Sequence, residues 1–177
     1  LEEALGIISG IDSRHHEVLI NMAFCFQSQW HYDKAVPILE EVARSTTIEP
    51  YRLLVAKVNL LSSYIGAQMF REASSLADEL LTQVENSPHR LLHGNILELS
   101  AQNDILEKNY AQAFQKLERA RELHSQARSA VTSILIDKWL AIGHSLQAGR
   151  VIDELPRIRQ KAVEQAHWET VRDCDFY

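Results

Sequence analysis

Apolar residues recur at intervals of three and four along most of this chain, which is the period of one helical face. Nowhere do they alternate with polar residues as in a half-buried strand, and no turn dipeptide joins two alternating runs. Turn residues separate the periodic stretches. Ser87-Pro88 reads as an N-cap followed by proline at the first helical position, where its missing N–H is no loss, and Thr47 with Pro50 is a looser version. Runs stop near Gly66 and Gly149, each followed within a few residues by a new one. The pattern predicts an all-α chain with helices at about 13–29, 33–45, 49–66, 70–85, 88–106, 110–125, 128–147 and 152–166, and a helical fragment at each end.

These helices come in pairs that repeat. Taking Ala35, Ala73, Ala113 and Glu154 as anchors, the first is preceded by Asn21-Met22-Ala23, Phe26 and Tyr32-Asp33-Lys34, and the second by Asn59-Leu60-Leu61, Tyr64 and Phe70-Arg71-Glu72. The spacings agree residue for residue. The third unit keeps Ala101, Tyr110, Ala113, Leu117 and Ala120, while in the fourth only Pro156, two after its anchor as Pro37 is in the first, preserves the pattern. A large residue, a small residue and an aromatic on the first helix, then aromatic-x-x-Ala on the second, resembles the tetratricopeptide repeat, a helix-turn-helix unit.

That resemblance covers about residues 15–165, strongly for two units and weakly for the fourth. It implies a right-handed α-α superhelix, a solenoid of about four helical hairpins with units at about 13–46, 47–86, 87–126 and 127–166, all in a single domain over 1–177. The anchors lie 38, 40 and 41 residues apart, longer than the ~34 of the standard repeat, so the helices are expected to be extended by about a turn. Ordinary stacking of α-hairpins without kinship is the alternative.

Composition narrows the function classes. The 177 residues are 46% hydrophobic and 24% charged, the proportions of a globular chain able to bury a core without disulfides or metal. Cys25 and Cys174 stand far apart with no CxxC or CxxH spacing, so no disulfide framework or zinc knuckle is suggested and a cytoplasmic location is expected. No apolar run is long enough to span a membrane. Leu1 at the start and a helical pattern running to Tyr177 read as a segment of a longer protein. Its apolar ends, Leu5, Ile7 and Ile8 at one and Trp168, Val171 and Cys174 at the other, are either caps or surfaces for self-association.

Candidate chemistry is thin. Gly143-His144-Ser145 begins like a nucleophile elbow, but Gln147 replaces the second glycine and the context is helical. His15-His16-Glu17 lacks the second histidine of a zinc-protease motif, Ile20 standing in its place. His89 and His93, four apart, give two metal ligands at most, and surface histidines near a helix start are the simpler reading. No catalytic residue, no metal and no cofactor is therefore expected. The net charge of −6 disfavours nucleic acid. Arg150, Arg157, Arg159 and Lys161 make one locally basic helix, best read as a solvated face or a seam with an acidic neighbour.

What remains is binding of another protein or peptide. In the tetratricopeptide register the first helices of successive pairs line a concave groove, and an asparagine just ahead of the large-small pair commonly holds a peptide backbone; Asn21 and Asn59 match that place. The same register implies groove positions at Glu17, Ile20, Phe24, Gln27, Val58, Ser62, Glu98, Gln102 and Trp139, with Phe24 and Trp139 as apolar anchors that could equally be core. The basic residues with which chaperone-binding members clamp a C-terminal carboxylate are missing, Ile20 and Phe24 standing in two of their places. The expected function is a non-catalytic protein-binding scaffold; the alternative is a sensing or oligomerisation arm of a larger bacterial-type transcription or signalling regulator.

Overall fold

The structure, a computed structural model, describes residues 13–126 and 130–177. Leu5, Ile7 and Ile8 lie outside the described residues. The described chain is all-α, 9 helices with no strand: α1 Ser13–Ser28, α2 Tyr32–Ala43, α3 Pro50–Gly66, α4 Phe70–Val84, α5 Arg90–Leu106, α6 Tyr110–Gln126, α7 Ala130–Ala148, α8 Glu154–Glu164 and α9 Trp168–Phe176. The eight predicted helices are present, within a few residues at their ends, and α9 is the fragment expected at the C-terminal end; the fragment expected at the N-terminal end lies outside the described residues.

Their termini obey different rules from those the sequence suggested. Pro50 does occupy the first turn of α3, but the cap is Glu49, whose carboxylate accepts from the backbone N–H of Tyr51 and of Arg52, both at 3.0 Å. A carboxylate there also answers the positive end of the helix dipole. α5 starts at Arg90, two residues beyond the predicted Ser87-Pro88 signal, with His89 as a cap residue whose side chain makes no capping bond. Ser87 Oγ instead accepts from His89 N–H within the approach to the helix.

The turn after each first helix repeats in detail. Trp30, Gln68, Lys108 and Gly149 all take positive φ, between 60° and 67°, each five residues before one of the four anchors. In each, two backbone N–H groups reach back to close the helix end, as where Lys108 N–H donates to Ile105 O at 3.0 Å and Asn109 N–H to Asp104 O at 2.7 Å. This left-handed closure satisfies carbonyls that the ending helix leaves unpaired. Only the fourth uses glycine, and Gly66 is the last residue of its helix rather than the turn. Gly66 is small for another reason: a Cβ there would lie 2.5 Å from the Tyr32 ring.

Packing follows the anchors. Ala35, Ala73 and Ala113 are fully buried, as the close approach of paired helices requires. In the fourth unit Glu154 is exposed and Leu155 is the buried residue, because the chain runs through Val151, Ile152 and Asp153 before α8 begins and arrives one position out of register.

The chain divides into two compact units, Leu1–Leu80 and Leu81–Tyr177, and the division falls inside α4. In the first unit α2 packs on both α1 and α3. One cluster joins Ala23, Ala35, Leu39 and Leu60, and a smaller one joins Leu19, Val42 and Ala56. In the second unit each helix packs on the next from α5 to α9, and α7 also touches α5 and α9. Its main cluster gathers Ala101, Ile105, Ala113, Leu117, Ile142 and Leu155.

Candidate interaction surface

In the first unit α1 turns Glu17, Asn21 and Phe24 outward at helical spacing, and Phe24 is 53% exposed. Beside them, between α1, the 47–49 loop and the start of α3, lies a cleft of about 710 Å³. Its apolar walls come from Ile20, Ile48 and Val55, with Tyr51 and Asn21 on the rim. An ion pair between Glu17 of α1 and Arg52 of α3 crosses it. Glu49, also on the lining, is already committed to the cap of α3. Glu17, Arg52 and Glu49 thus have partners close by, while Ile20, Ile48 and Val55 form a half-buried apolar wall beside the exposed Tyr51, Thr47 and Asn21.

Of the residues expected to face a groove, Asn21 and its neighbours Glu17 and Ile20 line this cleft. Phe24 lies one turn further along α1, exposed but outside the lining. Gln27 is turned toward α3 instead, where its Nε2 donates to the backbone oxygen of Asn59 at 3.0 Å and to Ser63 Oγ at 2.8 Å, tying the two helices together. The Asn59 side-chain Nδ2 is buried with no acceptor, and Ser62 is half-buried. Tyr51 and Arg52 are not among the expected groove positions, and neither is Val55, although it stands 38 residues after Glu17, at the same place of the repeat. The Thr47-Pro50 start signal marks the first turn of α3, where they begin, but says nothing of which way that turn faces.

In the second unit Gln102 is half-buried, whereas Glu98 and Trp139 are interior. Trp139 is 2% exposed, its ring packed edge-on against Tyr177 at 6.1 Å between centroids, with Lys138 Nζ 4.9 Å from the ring centre. A ring so enclosed is part of the core and is not available as an anchor for a guest. Glu98 is 9% exposed, and burial pushes its carboxyl up to about 7 against the opposing pull of Lys138; Glu169 and Asp173 add to the rise. Lys138 is itself 1% exposed, with Nζ 2.7 Å from Asp173 Oδ2. Nothing in the sequence distinguishes this lysine from a solvated one.

The other candidates are placed as follows. His89 stands at the start of α5, and burial lowers His93, helped by the nearby charge of Arg119. Among the described residues no group of three or more His, Cys, Asp or Glu side chains is placed to hold a metal ion. Arg159 of the basic helix α8 pairs with Asp175 of α9, its Nη2 donating to Oδ2 at 3.1 Å, so this part of the basic run forms a seam with an acidic neighbour. Cys25 is exposed and Cys174 half-buried, both as free thiols. No described helix is long and apolar enough to cross a membrane. Compared with known proteins, the chain matches no family model, no curated protein and no solved structure.

Proposed function

We propose that this chain is a non-catalytic scaffold built from tetratricopeptide-like helical hairpins, and that its first unit binds a segment of another polypeptide in the cleft between α1 and α3. The observation that carries the reading is the make-up of that cleft. Ile20, Ile48 and Val55 offer apolar wall, Tyr51 is 46% exposed at the rim, and Asn21 presents an exposed amide beside them. An amide can donate to and accept from a peptide group at once, which holds a backbone without reading its sequence. Apolar side chains of the guest would supply the affinity, since the ionic groups of the cleft already have partners in Arg52, Glu17 and the α3 backbone.

The repeat-built architecture is supported by the recurring left-handed turns and by the alanine anchors, which recur at matching offsets. Contacts between first helices of successive pairs favour side-by-side stacking, Gln27 to Asn59 in the first unit and α5 to α7 in the second.

The test is selection of binders from a displayed library of short peptides, with affinities then measured against Val55→Asp and Asn21→Ala variants. A charge placed on the wall should weaken selected apolar peptides at least about tenfold, and loss of the amide about fivefold, the scale of one net hydrogen bond. Peptides that bind Val55→Asp as well as the parent would place the binding surface elsewhere.

A further inference from the structure

The cleft of the first unit lies beside the beginning of α1. Its lining takes His16, Glu17, Ile20 and Asn21 from that helix, which starts at Ser13, and the rest from the 47–49 loop and the first turns of α3. Whatever precedes Ser13 is therefore joined to the protein next to the wall of Ile20, Ile48 and Val55. Residues 1–12 lie outside the described residues and belong to the same compact unit as the cleft. Leu5, Ile7, Ile8 and Ile11 place four large apolar side chains in the stretch 5–11, which carries no charge; the acids Glu2, Glu3 and Asp12 stand on either side of it.

Reach and chemistry both match. From Ser13 to Ile20 the helix climbs about 10 Å, at a rise of ~1.5 Å per residue. The chain from Ser13 back to Ile8 spans up to about 17 Å when extended, so it can return alongside α1 as far as Ile20 with length left for a turn. Gly10 admits such a turn without steric cost. Glu17, Arg52 and Glu49 already have partners, so the cleft asks no charge of its occupant, and the stretch 5–11 brings none. Gly6 and Gly10 also weaken a helix through this stretch, which leaves its peptide groups to be met from outside, and the exposed Asn21 amide can both donate to and accept from them.

We propose that residues 5–11 are the resident occupant of the cleft between α1 and α3, a built-in competitor that a guest polypeptide must displace. The inference rests on the reading of that cleft as a polypeptide-binding site, and adds its regulation. In extended chain Leu5, Ile7 and Ile11 fall on one side, which packs on the wall of Ile20, Ile48 and Val55. A short tether holds the segment at an effective concentration of about 1 mM, so weak docking covers the cleft most of the time. A guest then binds with its affinity lowered by the uncovered fraction. Only a guest that fills the cleft better than Leu5, Ile7 and Ile11 gains entry at low concentration.

Two measurements on the intact chain test this. Peptides selected for the cleft, those that Val55→Asp weakens, should bind the double variant Leu5→Asp/Ile7→Asp about tenfold more tightly than the parent, because charges keep the segment in water and leave the site uncovered. Equal affinity for parent and double variant would overturn the proposal and leave the cleft standing as a binding site. The second measurement needs no guest. With p-benzoylphenylalanine in place of Ser9, which lies on the same side as Ile7 and Ile11 in extended chain, illumination should cross-link position 9 within one copy to Ile20, Ile48, Tyr51 or Val55. Cross-links to other surfaces alone, or only between copies, would overturn the proposal. Should no peptide bind parent or variant, the reading of the cleft as a site for guests falls, and the cross-links still decide whether residues 5–11 occupy it.

Discussion

At the scale of single residues, small side chains are set by their neighbours rather than by backbone freedom. Gly143 is buried inside α7, where a Cβ would lie 2.7 Å from Phe114 Cε1 and 3.2 Å from Ile105 Cδ1. Phe114 is itself sandwiched, its ring 4.3 Å from that of His144. To make room for a Cβ, the Phe114 ring would have to shift against the ring of His144. Gly143→Ala should therefore destabilise the second unit by about 1–3 kcal/mol, the range for an overpacked core, despite alanine's better helix propensity; denaturant unfolding measures it. Gly143 is visible in the sequence as a failed nucleophile motif, but its packing reason is not. The alanine anchors are legible because three of them repeat at one offset, and repetition identifies a contact without knowledge of its partner. Trp139 is not, since a repeat register names the face of a helix and is silent about a later helix, α9, that packs on α7; nor does the register tell that Glu98 is interior.

At the scale of helices, the pairs are legible from period and spacing, whereas their ends follow from contacts that local turn chemistry does not reveal. Glycine and Ser-Pro are the natural punctuation of a helical sequence, yet three of the four left-handed turns before the anchors carry Trp30, Gln68 or Lys108. The backbone hydrogen bonds that close each helix end hold the left-handed conformation, in which a residue with a Cβ is strained. A testable consequence is that Lys108→Gly should stabilise the α5–α6 pair by about 1 kcal/mol, because glycine takes this left-handed φ without the Cβ penalty. The complementary change, Gly149→Ala, meets no neighbour within 4 Å, so any loss there reports backbone strain alone. A rise in melting temperature for the first and a fall for the second are expected; no change in either would mean that the turns are too loose to store strain.

At the scale of the whole molecule, the second unit holds buried and half-buried groups whose ionisation pulls in opposite directions. The Glu98 carboxyl is raised from 4.5 to about 7, so the stability it lends is complete below 4.5 and is lost as pH climbs through about 7. Burial lowers His93, helped by Arg119, and lowers His124 against a hydrogen bond to the Gly94 backbone. Their neutral forms suit the fold, and that stability is present above 6.5 and lost as pH falls below it. Between 4.5 and 6.5 the two slopes oppose each other, so the unit as a whole should respond less to pH than any one of these groups alone. Removing one side exposes the other. In Glu98→Gln the alkaline loss disappears, and the variant should exceed the parent by up to about 3 kcal/mol at about pH 8, with the gap closing toward about pH 5, since a tenfold change in proton affinity is worth about 1.4 kcal/mol. Denaturant midpoints followed through α5–α7 amides would read this difference, and an unchanged gap across that range would mean that Glu98 is already ionised in the fold, in which case a partner other than Lys138 must stabilise its charge.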